Sequence, residues 1–290
     1  MEKPYLLTDF KLLFRPVTSG NYINDHSIVK AHDGSWHLFG ITSHKGGAAN
    51  ERYFAHAKSS TLWGEEMTEL KPRIDTGTLA WAPAVITSGK DYYMYYGPSP
   101  TKMAISPDLN EWMGYEIEMC GTPPMSCHRD HFVLKLNDYT WIMYVVGTKD
   151  HRSAVSCLVS NDLLHWRFVQ YALTSAENTP LNPPWGAFES PFVVKRDDVY
   201  YLFLTYTDCK VENYRNTLVF TSKNPYDFGE YSTDRHSEMV VAELPAHAGE
   251  VIFDPDTGEY YLTSCGWNGK GLPASYEGGV GIAKLGWKKQ

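Results

Sequence analysis

The sequence predicts an all-β fold: a five-bladed β-propeller, with four-stranded antiparallel blades around a central channel. Three observations predict it. One unit, a short apolar strand, a polar turn and an aromatic-rich strand, recurs five times in the 290 residues. Each copy carries an aromatic at the same place (Trp36, Tyr93, Trp141, Tyr200 and Tyr260), at intervals of 57, 48, 59 and 60 residues. The turns are HDG, SGKD, LND, KRDD and DPDTG, all with the Gly/Asn/Asp chemistry of hairpins. A period of roughly 40–60 residues holding four strands matches a propeller blade.

The units follow one another along the chain. DHSIVKAHDGSWHLFGIT begins at Asp25, APAVITSGKDYYMYYGPS at Ala82 and DHFVLKLNDYTWIMYVVG at Asp130. ESPFVVKRDDVYYLFLTY begins at Glu189 and GEVIFDPDTGEYYLTSCG at Gly249. Further strands follow the hairpins, as in RYFAHAKS then WGEEMTEL, KMAISPD then EWMGYEIE, and AVSCLVSND then HWRFVQYAL. The last unit ends in GGVGIAKLGWKK, so the N-terminal residues are expected to complete the fifth blade and close the ring. No Pro/Ser-rich linker interrupts the chain, and residues 1–290 are expected to form a single propeller domain. A two-sheet sandwich is the alternative, but it does not require a repeat of this length.

Composition narrows the function. Hydrophobic residues make up 43% of the chain and aromatics 14%, including 20 Tyr and 9 Trp. That bias favours strands and surfaces on which sugars stack. The net charge of −8 argues against nucleic acid and against an anionic membrane surface as partners. No apolar run approaches the 18 residues of a membrane span. The start, MEKPYLLTDFKLLF, lacks the pattern of a signal peptide, so a cytoplasmic location is expected, with a secreted protein shorn of its leader as the alternative. The five cysteines are odd in number and form no CxxC, which points to reduced thiols and to neither a disulfide framework nor a zinc site.

Counting back eleven residues from each aromatic gives Asp25, Ala82, Asp130, Glu189 and Gly249. One acid at the head of a strand is commonly a solvated turn residue. Three at one count, each followed by an apolar run, are harder to dismiss, because the innermost strands of a propeller converge on the channel. Like charges crowded at a water-poor mouth cannot all ionise at their ordinary pKa. Carboxylates with divergent pKa values are the working parts of glycoside hydrolysis. Trp81, Trp185 and Trp267 lie near the heads of blades and are candidates for stacking on sugar faces, core or loop packing being the alternative.

At these residues the chain resembles the five-bladed propeller glycosidases of families 43 and 32, the furanosidase superfamily. Asn24-Asp25 resembles the first-blade aspartate of both families and the family 32 Asn-Asp-Pro motif, with His26 in place of the proline. Trp81 to Val85 resembles the Trp-Ala-Pro motif of family 43. Arg129-Asp130 resembles the family 32 Arg-Asp-Pro motif, with His131 in place of the proline. Glu189-Ser190-Pro191 is similar to the Glu-Gly-Pro of family 43 and the Glu-Cys-Pro of family 32. His247 resembles the channel histidine that family 43 members keep near a central metal or water. The resemblance covers essentially the whole chain.

The resemblance implies an exo-acting hydrolase of arabinose-, xylose- or fructose-containing oligosaccharides. Glu189 would be the general acid and Asp25 the base (inverting) or nucleophile (retaining). Asp130 would tune the acid and orient the substrate, and Arg129 would bind sugar hydroxyls. Trp81 to Val85 and His247 lean to family 43, while Asn24 and Arg129 lean to family 32. The balance favours inversion. No cofactor is required, and a calcium or sodium ion near His247 is implied only by the resemblance. Asn24, His26, His128 and His131 flank the acids as substrate contacts or as hydrogen-bonding groups at strand ends. Arg215, in the fourth blade's loop, either reaches the pocket or lies on the surface. A non-catalytic sugar-binding propeller would tolerate loss of an acid. A glycoside phosphorylase would need a basic phosphate clamp that Arg129 and Arg215 scarcely supply.

Overall fold

The computed structural model describes residues 2–17, 22–43, 48–121, 125–178, 187–207, 216–267 and 278–289, the side chains of 48, 72, 73, 178 and 267 excepted. These residues form five separate sheets arranged as the blades of a propeller. Blade 1 comprises Asn24–Lys30, Trp36–Thr42, Tyr53–Ser59 and Thr68–Asp75. Blade 2 comprises Trp81–Ser88, Asp91–Gly97, Lys102–Ser106 and Met113–Tyr115. Blade 3 is built from Ser126–Asn137, Thr140–Lys149, Arg152–Ser160 and His165–Asn178. Blade 4 follows with Phe188–Arg196, Val199–Tyr206, Asn216–Ser222 and Val240–Leu244.

Blade 5 is assembled from both ends of the chain. Val251–Asp254, Glu259–Trp267 and Gly279–Lys289 supply three strands, and Glu2–Leu6 adds antiparallel to Gly279–Lys289 as the outermost. Lys11–Phe14 pairs with the same strand at its other end. The expected ring closure by N-terminal residues is therefore observed. Blade 3 is larger than expected: Glu118–Cys120 and Gly229–Tyr231 pair parallel to its long outer strand, which overhangs its neighbours. Among the described residues, no helix is long and apolar enough to cross a membrane.

Among the described residues the core is divided into five apolar clusters, one at each interface between neighbouring blades. This is why the second strands read as near-continuous apolar runs: Trp36–Thr42 is buried at every position because a blade covers each face. The repeated aromatic belongs to these clusters and packs against the preceding blade. Trp36 meets Ile252 and Tyr261 of blade 5, Trp141 meets Tyr95 of blade 2, and Tyr200 lies with Ile142 and Tyr144 of blade 3.

Blade 2 departs from the count. Tyr92, not Tyr93, packs with Val29 and Phe39 of the preceding blade, and Tyr93 faces blade 3. Tyr92 is 2% exposed, and its hydroxyl oxygen accepts the His32 N–H at 2.8 Å. Tyr92→Ala should therefore cost about 3–5 kcal/mol, the usual range for emptying a large buried aromatic site, and Tyr93→Ala less than half as much. Paired denaturant melts of the two variants check the register.

Candidate active site

The innermost strands share a local distortion at their heads. Asp25, Ala82, Asp130, Ser190 and Ala248 all have left-handed backbone, with φ between 42° and 54°. In blades 1 to 4 the strand register breaks across this residue, between Asn24 and His26, Trp81 and Ala84, Arg129 and His131, and Glu189 and Phe192. Such bulges re-aim side chains and cost about 1–3 kcal/mol each for a non-glycine residue, a burden that clusters at functional sites. Here four of them, with the left-handed Ala248 of blade 5, stand at the heads of the innermost strands.

Strand pairing corrects the register read by counting. Lys30 pairs with Trp36, Thr87 with Tyr92, Lys135 with Trp141, Lys195 with Tyr200 and Phe253 with Tyr260. Each of these partners stands at the same distance in sequence after its left-handed residue. Ser190, not Glu189, is thus the counterpart of Asp25 and Asp130, because the Asp197-Asp198 turn makes the fourth hairpin one residue shorter than the first and third. In blade 5 the counterpart is Ala248 and not Gly249, because that hairpin is one residue longer. Glu189 falls instead in the preceding register, with Asn24, Trp81, Arg129 and His247.

Two residues knit the acids together across blades. Arg129 Nη2 donates to Glu189 Oε1 at 3.0 Å, and its Nε lies 3.5 Å from Asp130 Oδ2. The guanidinium also donates to the carbonyls of Phe188 and Cys127, at 3.3 Å each. Ser190 donates its hydroxyl to Asp25 Oδ1 at 2.6 Å and its backbone N–H to Asp130 Oδ2 at 3.1 Å. One main-chain position in blade 4 therefore holds carboxylates from blades 1 and 3.

Burial decides the protonation of this group. It pushes the Glu189 carboxyl up to about 8, against the pull of Arg129 and with help from the charges of Asp130 and Asp25. Asp130 is raised to about 6 for the same reason, Arg129 opposing and Asp25 reinforcing. Asp25 is also raised by burial, and the Ser190 hydroxyl and Arg129 hold it back. Glu189 is thus a carboxyl that keeps its proton at neutral pH.

The histidines are neutral framework groups. Burial lowers His26 and His131 to about 3 and His247 to about 4. His26 Nε2 is 2.6 Å from Thr263 Oγ1, and His131 Nε2 is 2.8 Å from Thr101 Oγ1. These bonds hold the two rings at the strand ends. Both histidines line a cavity of about 30 Å³ that also reaches Asp25, Asp130 and Glu250. His128 is buried at the head of blade 3, where its carbonyl accepts the Ser99 N–H at 3.1 Å. Asn24 and Trp81 sit one residue before the left-handed positions of blades 1 and 2. Trp185 and Arg215 lie outside the described residues, and Trp267 is described only as the backbone end of its strand.

Several groups of the site were not anticipated. Ser190 was passed over because the count assigned its register to Glu189. Glu250, raised by burial to about 8, accepts the Ile28 N–H at 2.8 Å, and its signal was the acid next to Gly249 in GEVIFD. Glu51, raised to about 7, accepts the Tyr22 hydroxyl at 2.7 Å and lies close enough to feel Asp25. Cys265 accepts the Asp25 backbone N–H at 3.2 Å and stands 3.4 Å from His247 Nδ1.

Known proteins share this architecture. The chain superposes on a GH43 enzyme from Xanthomonas citri complexed with xylotriose, with a TM-score of 0.64, 15% identity, and coverage of 94% of this chain and 90% of that one. For the Bombyx mori GH32 beta-fructofuranosidase the values are 0.58, 16%, 92% and 61%. For the Cellvibrio cellulosa alpha-L-arabinanase complexed with arabinohexaose they are 0.59, 13%, 92% and 91%. At these identities the likeness is one of fold. No curated protein sequence matches the chain. The sequence family described as "Glycosyl hydrolases family 32 N-terminal domain" matches residues 17–261. With that match spanning all five blade heads, the chain belongs to the N-terminal domain family of the family 32 glycosyl hydrolases.

Proposed function

We propose that the protein removes terminal arabinose-, xylose- or fructose-type residues from oligosaccharides, with Asp25, Asp130 and Glu189 as the reacting set. The observation that carries this reading is that three carboxylates from three blades, Asp130 and Glu189 buried and Asp25 half-buried, form one hydrogen-bonded group through Arg129 and Ser190. The ligands and activities named for the structural neighbours support the substrate class: xylotriose, arabinohexaose and a beta-fructofuranosidase.

In this reading Glu189 gives its proton to the glycosidic oxygen as the bond to the anomeric carbon breaks. Asp25 attacks that carbon from the other side and forms a glycosyl ester. The Glu189 carboxylate then takes a proton from water, whose oxygen displaces Asp25 and releases the sugar. Asp130, fixed by Ser190 and Arg129, orients the sugar and keeps a second negative charge beside Glu189, which favours the protonated acid. Membership of family 32 supports Asp25 as nucleophile and a retaining reaction. The inverting alternative, with Asp25 as base, is favoured by Trp81 to Val85 and by His247 beside Asp25.

Glu189→Gln should lower kcat on natural oligosaccharides roughly 10²–10⁴-fold, the span of a general acid's contribution. A rate within twofold of wild type would remove Glu189 from the role. Product anomers followed by NMR in the wild-type reaction should show retention, and inversion would assign Asp25 as a base.

Ser190→Gly removes the hydroxyl from Asp25, suits the left-handed backbone and leaves the N–H bond to Asp130 in place. The Ser190 hydroxyl holds the Asp25 pKa down, so its loss moves the acid limb of the kcat/KM profile to higher pH. The alkaline limb, set by Glu189 losing its proton near 8, should stay where it is. An unchanged acid limb would show that Ser190 does not tune Asp25.

A further inference from the structure

The hard cation implied beside His247 does not fit the groups around it. Calcium takes six to eight oxygen ligands at about 2.3–2.6 Å. Here the imidazole faces a thiol, with Cys265 Sγ 3.4 Å from His247 Nδ1. The Asp25 carboxylate completes a group of three whose ligand atoms all lie within 4.8 Å of one another. One nitrogen, one sulfur and one carboxylate oxygen are the donors of zinc and its borderline-soft relatives, not of calcium or sodium.

The geometry agrees with the donor types. Zinc bonds of about 2.3 Å to sulfur and about 2.0 Å to nitrogen, at a tetrahedral angle, put the two donors about 3.5 Å apart. The observed 3.4 Å between Cys265 and His247 is that spacing without a change of backbone. Main-chain bonds hold the cradle in shape. The Cys265 N–H donates to the His247 carbonyl at 3.0 Å, and the His247 N–H donates to Ser264 Oγ at 3.0 Å. The Asp25 N–H donates to Cys265 Sγ at 3.2 Å, which ties blade 1 to blade 5 at this point. His247 and Cys265 are 2% and 0% exposed, whereas Asp25 is only half-buried, so the open side faces the channel mouth.

We propose that Asp25, His247 and Cys265 form a binding site for a borderline-soft divalent cation of the zinc class, with its fourth position open to water or a sugar hydroxyl. Binding releases the Cys265 thiol proton to solvent, since the thiolate is the ligand. One Asp25 oxygen stays with the Ser190 hydroxyl and the other turns to the cation. The consequence for catalysis rests on the role proposed for Asp25: a cation on that carboxylate withdraws the lone pair the reaction needs, so occupancy inhibits hydrolysis.

Cadmium reports such a site directly, through the ultraviolet charge-transfer band of a cadmium–thiolate bond. The titration is made in full-length protein carrying Cys120→Ser, Cys127→Ser and Cys209→Ser; this leaves Cys265 and Cys157, which is buried between blades 3 and 4. One equivalent of cadmium should produce the band, and excess calcium should not displace it. Adding Cys265→Ser should abolish it, and adding His247→Gln should weaken binding at least about tenfold. No band in the parent protein, a band that survives Cys265→Ser, or full displacement by calcium would each overturn the site, whatever the variants do to folding. Turnover is measured on the same samples. A band with lost turnover supports both proposals; a band with undiminished turnover supports the cation site and removes Asp25 from the reaction.

Discussion

One guanidinium among three crowded carboxylates is the constraint on which the site depends. Arg129 supplies a single positive charge, and Asp25, Asp130 and Glu189 would supply three negative ones if all were ionised. Taking charge out of water is expensive, and one cation cannot offset it three times over. The cluster therefore keeps protons that exposed acids would lose, with Glu189 raised to about 8. Proton retention and a proton-donating function are two descriptions of the same electrostatic imbalance. Arg129 sets its size: without the guanidinium Glu189 and Asp130 would be raised further, and a second guanidinium would let both ionise.

The propeller makes this crowding affordable by spreading it over elements that are rigid for other reasons. Each acid heads an inner strand whose continuation is locked between apolar clusters shared with the blades on either side. The left-handed residues at the strand heads turn the chain so that neighbouring positions from different blades meet. Ser190 shows the benefit: its backbone and side chain reach two acids from two other blades. The same convergence brings Cys265 and His247 of blade 5 against Asp25 of blade 1, so a second chemistry, that of soft cations, borders the carboxylate group.

Much of the fold was legible because the repeat is driven by apolar burial, and burial follows the strand pattern closely. The five units, the ring closure by Glu2–Leu6 and the three acids were all readable from strand and turn chemistry. What was misread followed from hairpin length. Counting from the aromatic assumes turns of one size, yet the second and fourth hairpins are shorter than the first and third, and the fifth is longer. In blade 2 two offsets cancelled, since Tyr93 stood in for Tyr92 while Ala82 was still the left-handed residue. In blade 4 nothing cancelled, and Glu189 was placed one register late. It belongs to the cluster all the same, because Arg129, in the same register of blade 3, donates to its carboxylate. Cys265 was invisible for another reason: without a partner cysteine or CxxC spacing, a thiol reads as inert until the fold places an imidazole and a carboxylate next to it.

The proton held by Glu189 is what makes this cluster an acid at neutral pH. Carbon-13 labelling of the glutamate side-chain carboxyls, with Glu189 assigned by comparison with Glu189→Gln, allows its titration to be followed by NMR in the free protein. A midpoint near 8 is the predicted result. A midpoint near the ordinary 4.5 of a glutamate would contradict it, because Arg129 would then outweigh burial and the neighbouring acids, and the cluster would have no proton to give at neutral pH.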